Sequence, residues 1–224
     1  TIRSRDEKLR NNDGVNIDSS TNISVKDCDV ISGDDALVIK STAAGKPSSH
    51  ISAENCQLST RTNAIKLGTE SIGGFSDISV SHCAITNTDM AGIALYEVDG
   101  GDLTHVSISD VTMDGVAVPI SIRLGARLKT FRAGDKPLPA PGHIQDVSIK
   151  NVSAKNIKLI GFLINGLPDH PVENLTLDNI SLELPGGGNA ESAAIQLPEK
   201  PDAYPEFDMF GKTLPASAIY IRHA

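Results

Sequence analysis

Apolar and polar residues alternate along this chain in short runs, and the runs recur. Six share one pattern: "ISVKDCDV" from Ile23, "ISAENCQL" from Ile51, "ISVSHCAI" from Ile78, "VSISDVTM" from Val106, "VSIKNVSA" from Val147 and "LTLDNISL" from Leu175. Their starts are separated by 28, 27, 28, 41 and 28 residues, so the fourth interval carries an insertion. A second set lies between them: "DALVIK" from Asp35, "NAIKLG" from Asn63, "AGIALY" from Ala91 and "PISIRL" from Pro119, with "DGVNID" from Asp13 as an earlier member. A period of two argues for strands; a helical solenoid would sustain apolar residues at i, i+3 and i+4, and none does. Short strands returning at a fixed interval predict an all-β chain wound as a right-handed parallel β-helix, a solenoid in which each coil covers only its neighbours. A single coil cannot bury its own interior. The core is therefore continuous along the axis, and equivalent residues stack at the strand spacing of about 4.8 Å.

Stacking turns sequence spacing into geometry. Aligning the second set gives a column of Asp13, Asp35, Asn63, Ala91 and Pro119. Two and four places on stand Val15, Leu37, Ile65 and Ile93, then Ile17, Ile39, Leu67 and Leu95, which are predicted to face inward. Between them Asn16, Val38, Lys66 and Ala94, then Asp18, Lys40, Gly68 and Tyr96, are predicted to face out. The same alignment stacks Cys28, Cys56 and Cys83 as the sixth residue of their repeats, a ladder of buried thiols acting as small hydrophobes. A disulfide between neighbours is allowed by distance but not implied.

Composition fits this picture. The 224 residues suit one domain, taken as 1–224, and 39 % are hydrophobic with no Trp, so Val, Ile, Leu and Ala must build the core. The formal charge is −8 and no basic run stands out, which argues against a nucleic-acid partner. No stretch reaches the roughly 18 apolar residues of a membrane-spanning helix. The chain starts "TIRSRDEK", without Met or a visible signal peptide, and stops at "IYIRHA" within a strand-like pattern. The β-helix is accordingly expected to be incomplete at both ends, and the protein to be a monomer.

The aspartates carry the chemistry. The predicted coils bring Asp13 and Asp35 one rung apart, with Asp34 beside them and Lys40 and Lys66 nearby. Carboxylates that close repel, so at least one is expected to hold its proton above the usual range. Inverting glycoside hydrolysis needs such an acid and a base that holds water, with carboxyl groups about 6.5–9.5 Å apart. A solvated polar edge, turn-capping aspartates or a calcium site would use the same residues.

"NNDG" at 11–14 followed by "SGDDALVIKS" at 32–41 resembles the N-x-D and (G/Q)-D-D motifs of the polygalacturonases, glycoside hydrolase family 28, of bacterial type. The late segment "YPEFDMFGKTLPASAIYIRHA" is similar to one in bacterial members, and the resemblance runs along nearly the whole chain. It implies an inverting hydrolase of pectic polysaccharide, secreted or periplasmic, with no metal or other cofactor. Asp34 would be the general acid, and Asp13 and Asp35 would position and deprotonate the water. Two motifs depart from the family. Asn63 and Ala64 stand where G-H-G would supply its His, and Ala94, Leu95 and Tyr96 stand in place of R-I-K, which binds a galacturonate carboxylate. Asn11, Asn63, Lys66, Tyr96 and Arg123 are the candidate substrate-binding residues, with Lys66 a partial substitute for the lost anchor and Tyr96 a surface for a sugar ring. Glu70, Glu97 and Asp99 are further candidates for the cleft. The insertion "RLGARLKTFRAGDKPLPAPGH" carries Arg123, Arg127, Lys129, Arg132 and Lys136 and is expected to border it. A polysaccharide lyase and a non-catalytic carbohydrate-binding β-helix are the competing functions.

Overall fold

The structure is a computed structural model and describes residues 1–4, 6, 11–211 and 213–224. Among them the chain forms fifteen strands and one short helix, Ala190–Ala193. Every strand-to-strand pairing is parallel, as a right-handed parallel β-helix requires.

Three ladders run along the axis. The site ladder stacks Val15–Asp18, Leu37–Lys40, Ile65–Leu67, the second half of Ala84–Glu97, the end of Leu103–Leu124, Phe162–Asn165 and Ile219–Arg222. The second ladder stacks the six repeats in the register their sequences predict, Ile23 on Ile51 on Ile78 on Val106 on Val147 on Leu175. The third joins Ile2–Arg3, Asp29–Ser32 and Gln57–Thr60 to the first half of Ala84–Glu97 and the middle of Leu103–Leu124. Inward columns from all three fuse into one core that includes Leu37, Ile65, Ile93, Ile120 and Ile164.

The turns explain why coils of this length repeat. The fifth residue of every repeat, Asp27, Asn55, His82, Asp110, Asn151 and Asn179, has a positive φ between 51° and 56°. The residue just before each repeat also has a positive φ, between 50° and 60°: Asn22, His50, Asp77, His105, Asp146 and Asn174. Asn, Asp and His tolerate this left-handed region better than other residues with a side chain. The coil turns at these two columns, and the side chains bond from rung to rung, as from Asn55 Nδ2 to Asp27 (2.6 Å) and from Asn179 Nδ2 to Asn151 (2.8 Å).

The register departs from expectation at one place. A bulge between Thr88 and Ala91 shifts the next rung by one residue, so Ala91 pairs with Val118 and not with Pro119. A one-residue slip would otherwise turn every side chain to the opposite face. The bulge instead keeps Ile120, Ile122 and Leu124 inside and sets Ser121 and Arg123 on the outer column, opposite Ala94 and Tyr96. All three cysteines are free: Cys56 and Cys83 are buried and Cys28 is half-buried. Each thiol donates to the carbonyl two residues before it, so the stacked column is a structural device of the turn.

Candidate active site

The loops entering the first strands of the site ladder bring three carboxylates together. Asp13, Asp34 and Asp35 each offer an oxygen within 4.8 Å of the others. Asp13 precedes Gly14, where an added Cβ would collide with the Val30 side chain and lie 2.6 Å from the Ala36 carbonyl. Only glycine lets the chain pass there. The Asp34 turn is fixed by Ser32 and Thr60, whose hydroxyls donate to the Asp34 carbonyl.

Each carboxylate has its own surroundings. Asp34 accepts from the backbone N–H of Asn11 (3.1 Å) and of Asp35 (3.0 Å). Asp35 is buried and the most tightly held. Its Oδ1 accepts from the Asn63 backbone (3.2 Å) and from Asn63 Nδ2 (3.0 Å), and its Oδ2 lies 3.0 Å from Lys66 Nζ. The Thr62 hydroxyl bridges Asp34 and Asp35 at 3.1 and 3.0 Å. Asn63 is oriented from its other end, because its Oδ1 accepts from Ala91 N on the next coil (3.1 Å). Asp13 is partly exposed, accepts from Asn16 Nδ2 (2.7 Å) and lies 3.6 Å from Lys40 Nζ, which also meets Glu70 at 3.5 Å.

The expected rise in proton affinity falls on Asp13. Burial raises it most, with the Asp35 and Asp34 charges adding to it, against the opposing pull of Lys40. A second carboxyl stands nearby. Burial pushes Glu206 up to about 7, and Asp35 and Asp208 add to the effect although Lys66 opposes it. Glu206 Oε1 is 3.9 Å from Lys66 Nζ, too far for a hydrogen bond, and its Oε2 is buried without a partner. Desolvation alone would lower the Lys66 ammonium, but the Asp35 and Glu206 charges outweigh it and raise it. The three aspartates have the donor chemistry of a cation site. Lys66 and Lys40 already supply positive charge at its edge.

Other sequence expectations meet a different arrangement. Tyr96 lies on the outer column as predicted, yet it is completely buried, with its hydroxyl on Ser121 Oγ at 3.1 Å; it has no face to offer a sugar. Arg123 belongs to a strand and not to the insertion. It is buried and donates to the carbonyls of Gly166, Glu199 and Lys200 at 2.9–3.2 Å. Both are covered by the segment 197–210, whose return over the sheet no local pattern announces. Lys66 and Asn63 are buried for the same reason and act on Asp35. Asn11 is exposed at the site's edge. Glu97 and Asp99 are wholly buried: Asp99 holds a forked ion pair with Arg127, its Oδ1 2.9 Å from Arg127 Nε, and Glu97 Oε1 accepts from Asp99 N. Of the insertion's charges, Arg127 is thus taken up by Asp99, and Arg132 by Asp18 at 3.3 Å and the Thr42 hydroxyl.

Sequence reasoning missed Thr62, Tyr204 and Glu206. Thr62 had a signal, since it stands 28 residues after Asp34 as Asn63 does after Asp35. Tyr204 and Glu206 had none, because they reach the site from outside the repeat.

A parallel β-helix with clustered carboxylates on one outer face is the class that fold and site define. Within it the family is identifiable: the model for glycosyl hydrolases family 28 matches residues 1–201, and the chain belongs to that family. A probable polygalacturonase from Vitis vinifera is 26 % identical over 185 residues, which cover 78 % of this chain and 36 % of the relative. A polygalacturonase from Gossypium barbadense is 25 % identical over 197 residues, covering 84 % of this chain and 46 % of the relative. The polygalacturonase from Erwinia carotovora ssp. carotovora shares the fold, with a TM-score of 0.63 at 22 % identity over 80 % of this chain and 45 % of that one. The chain thus spans between a third and a half of the length of these proteins.

Proposed function

We propose that this chain is the catalytic part of an inverting glycoside hydrolase that cleaves a pectic polysaccharide, of galacturonan or rhamnogalacturonan type. One observation carries the reading: three carboxylates from two adjacent coils, in a glycosyl hydrolase family, with oxygens within 4.8 Å of one another. That spacing is shorter than the roughly 6.5–9.5 Å usual for an inverting pair. It still lets one water donate to two carboxylates, at about 2.8 Å each.

In this mechanism Asp34 protonates the leaving glycosidic oxygen, while Asp13 and Asp35 hold the attacking water and take its proton. A base works best when its proton affinity is near that of the working solution, and burial raises that of Asp13. Lys66 and Asn63 hold the Asp35 carboxylate in its orientation. Asn11 borders the substrate on the exposed side. No described helix is long and apolar enough to cross a membrane. A polymeric substrate of this kind suits a secreted or periplasmic enzyme, and one chain supplies all three carboxylates, so a monomer suffices.

The test is a panel of pectic oligosaccharides with product analysis. Hydrolysis without new ultraviolet absorbance supports the reading. An unsaturated product would mean a polysaccharide lyase, and binding without turnover a carbohydrate-binding β-helix.

A further inference from the structure

The outer column of the site ladder is open at one end and roofed at the other. Asn16 is exposed, and Asp13, Asp34 and Lys40 are partly exposed. Beyond them Lys66, Ala94, Tyr96, Ser121, Arg123 and Asn165 are each no more than 5 % exposed, although all stand on the outside of the coil. The roof is the segment 197–210, and it is fastened rung by rung. Arg222 donates to the carbonyls of Leu197 (2.7 Å) and Pro198 (3.1 Å). Arg123, further along, donates to those of Glu199 (3.0 Å) and Lys200 (2.9 Å). Ala126 N then donates to Pro201 O (2.6 Å), and Thr69 Oγ1 donates to the Tyr204 hydroxyl oxygen at 3.1 Å. The segment therefore descends from the last rung toward the carboxylates. It stops with Tyr204 and Glu206 at Lys66, and Phe207, Phe210 and Leu214 then turn aside onto Val118 and Leu163. Phe210 lies against both arginines, 5.7 Å from Arg123 and 5.3 Å from Arg222, which secures the strap to the sheet.

Tyr204 ends this roof and is 52 % exposed. Lys66 Nζ lies 6.0 Å from its centre and 3.0 Å from Asp35 Oδ2, so the ring stands at the border of the carboxylate site. Arg127 supports the ring at 5.7 Å. The positions vacated by the family's usual sugar anchors, Ala94 and Tyr96, lie beneath the strap, out of reach of any polymer.

We propose that the strap closes the substrate groove just past the carboxylates, so that the enzyme removes units from a chain end, with Tyr204 as the wall against which the terminal sugar rests. This deepens the reading above and rests on it. An aromatic face next to a hydrolytic site offers apolar contact to the ring carbons of a sugar while its hydroxyl stays hydrogen-bonded. A polymer running through the groove in both directions would collide with the strap.

The test uses the whole encoded protein and pectic oligosaccharides labelled at the reducing end, with products followed from the first percent of turnover. The expected result is one smallest product released throughout, from one end, and a polymer viscosity that falls slowly relative to bond cleavage. Tyr204→Ala is expected to raise KM several-fold with little change in kcat and to admit longer products, while Tyr204→Phe keeps the wild-type pattern. Early mid-length fragments from the wild type would overturn the closed groove and leave the hydrolase reading intact. So would a Tyr204→Ala enzyme with unchanged KM and products overturn the role of the ring. No hydrolysis of any substrate would overturn both readings.

Discussion

Lys66 Nζ stands 3.0 Å from Asp35 Oδ2 in an ion pair almost shut off from solvent, with side-chain exposures of 6 % and 5 %. The pair joins two adjacent coils, because Lys66 stacks directly on Val38, three residues after Asp35. Removing one partner of a buried pair strands the other charge and costs about 3–5 kcal/mol. Lys66→Met is therefore expected to lower stability by an amount of that order and to abolish turnover. Denaturant melts check it; a loss below about 1 kcal/mol, the range of exposed pairs, would show that water already screens this one.

The Asp34 carboxylate accepts from two backbone N–H groups and from the shared Thr62 hydroxyl. Asp34→Asn keeps the shape and removes the proposed proton donor. Its kcat is expected to fall by about 10²–10⁴-fold, the range of general acid–base catalysis, with oligosaccharide binding retained. The same assay, read by NMR at the first turnover, is expected to give the inverted anomer. A retained anomer would make one aspartate a nucleophile.

Glu206 gives stability a pH dependence. Burial raises its affinity from the ordinary 4.5 to about 7, so between those values the folded state binds more protons than the unfolded chain. Stability then falls as pH rises through that window and levels off above it. Glu206→Gln is expected to remove the slope. Thermal melts of both proteins from pH 4.5 to 7.5 decide the matter, since parallel curves would mean that Lys66 already neutralises the carboxylate.

Gly14→Ala pushes a methyl group into Val30 and the Ala36 carbonyl. Overpacking of this kind costs about 1–3 kcal/mol. Because Asp13 is the preceding residue, kcat is expected to drop further than folding stability alone accounts for. Activity per folded molecule, with the folded fraction measured by circular dichroism, separates the two effects.

Much of the molecule was legible in the repeat. A spacing near 28 with alternating apolar residues fixes the coil, and the coil fixes the stacking of Asp13, Asp34 and Asp35. The two columns of left-handed Asn, Asp and His were also written in it, at the fifth place of each repeat and the place before it. The bulge before Ala91 was less visible, because a single added residue is absorbed silently when apolar residues flank it on both sides.

What the sequence determined by itself is the set of contacts made between neighbouring coils. These are local in the folded solenoid, and apart from the rung shifted by the bulge before Ala91, period and residue type suffice to place them: the core columns, the thiol ladder and the carboxylate cluster. Only the tertiary structure decided what covers the outside of those coils. Tyr96 reads as a surface residue in the alignment of repeats, and Arg123 joins the same outer column only through the bulge; both are buried because a segment more than 70 residues further along returns over them and is held by guanidinium bonds to its own carbonyls. That return has no period. It depends on where a non-repeating chain finds a surface that matches it, and the same return brings Tyr204 and Glu206 to Lys66.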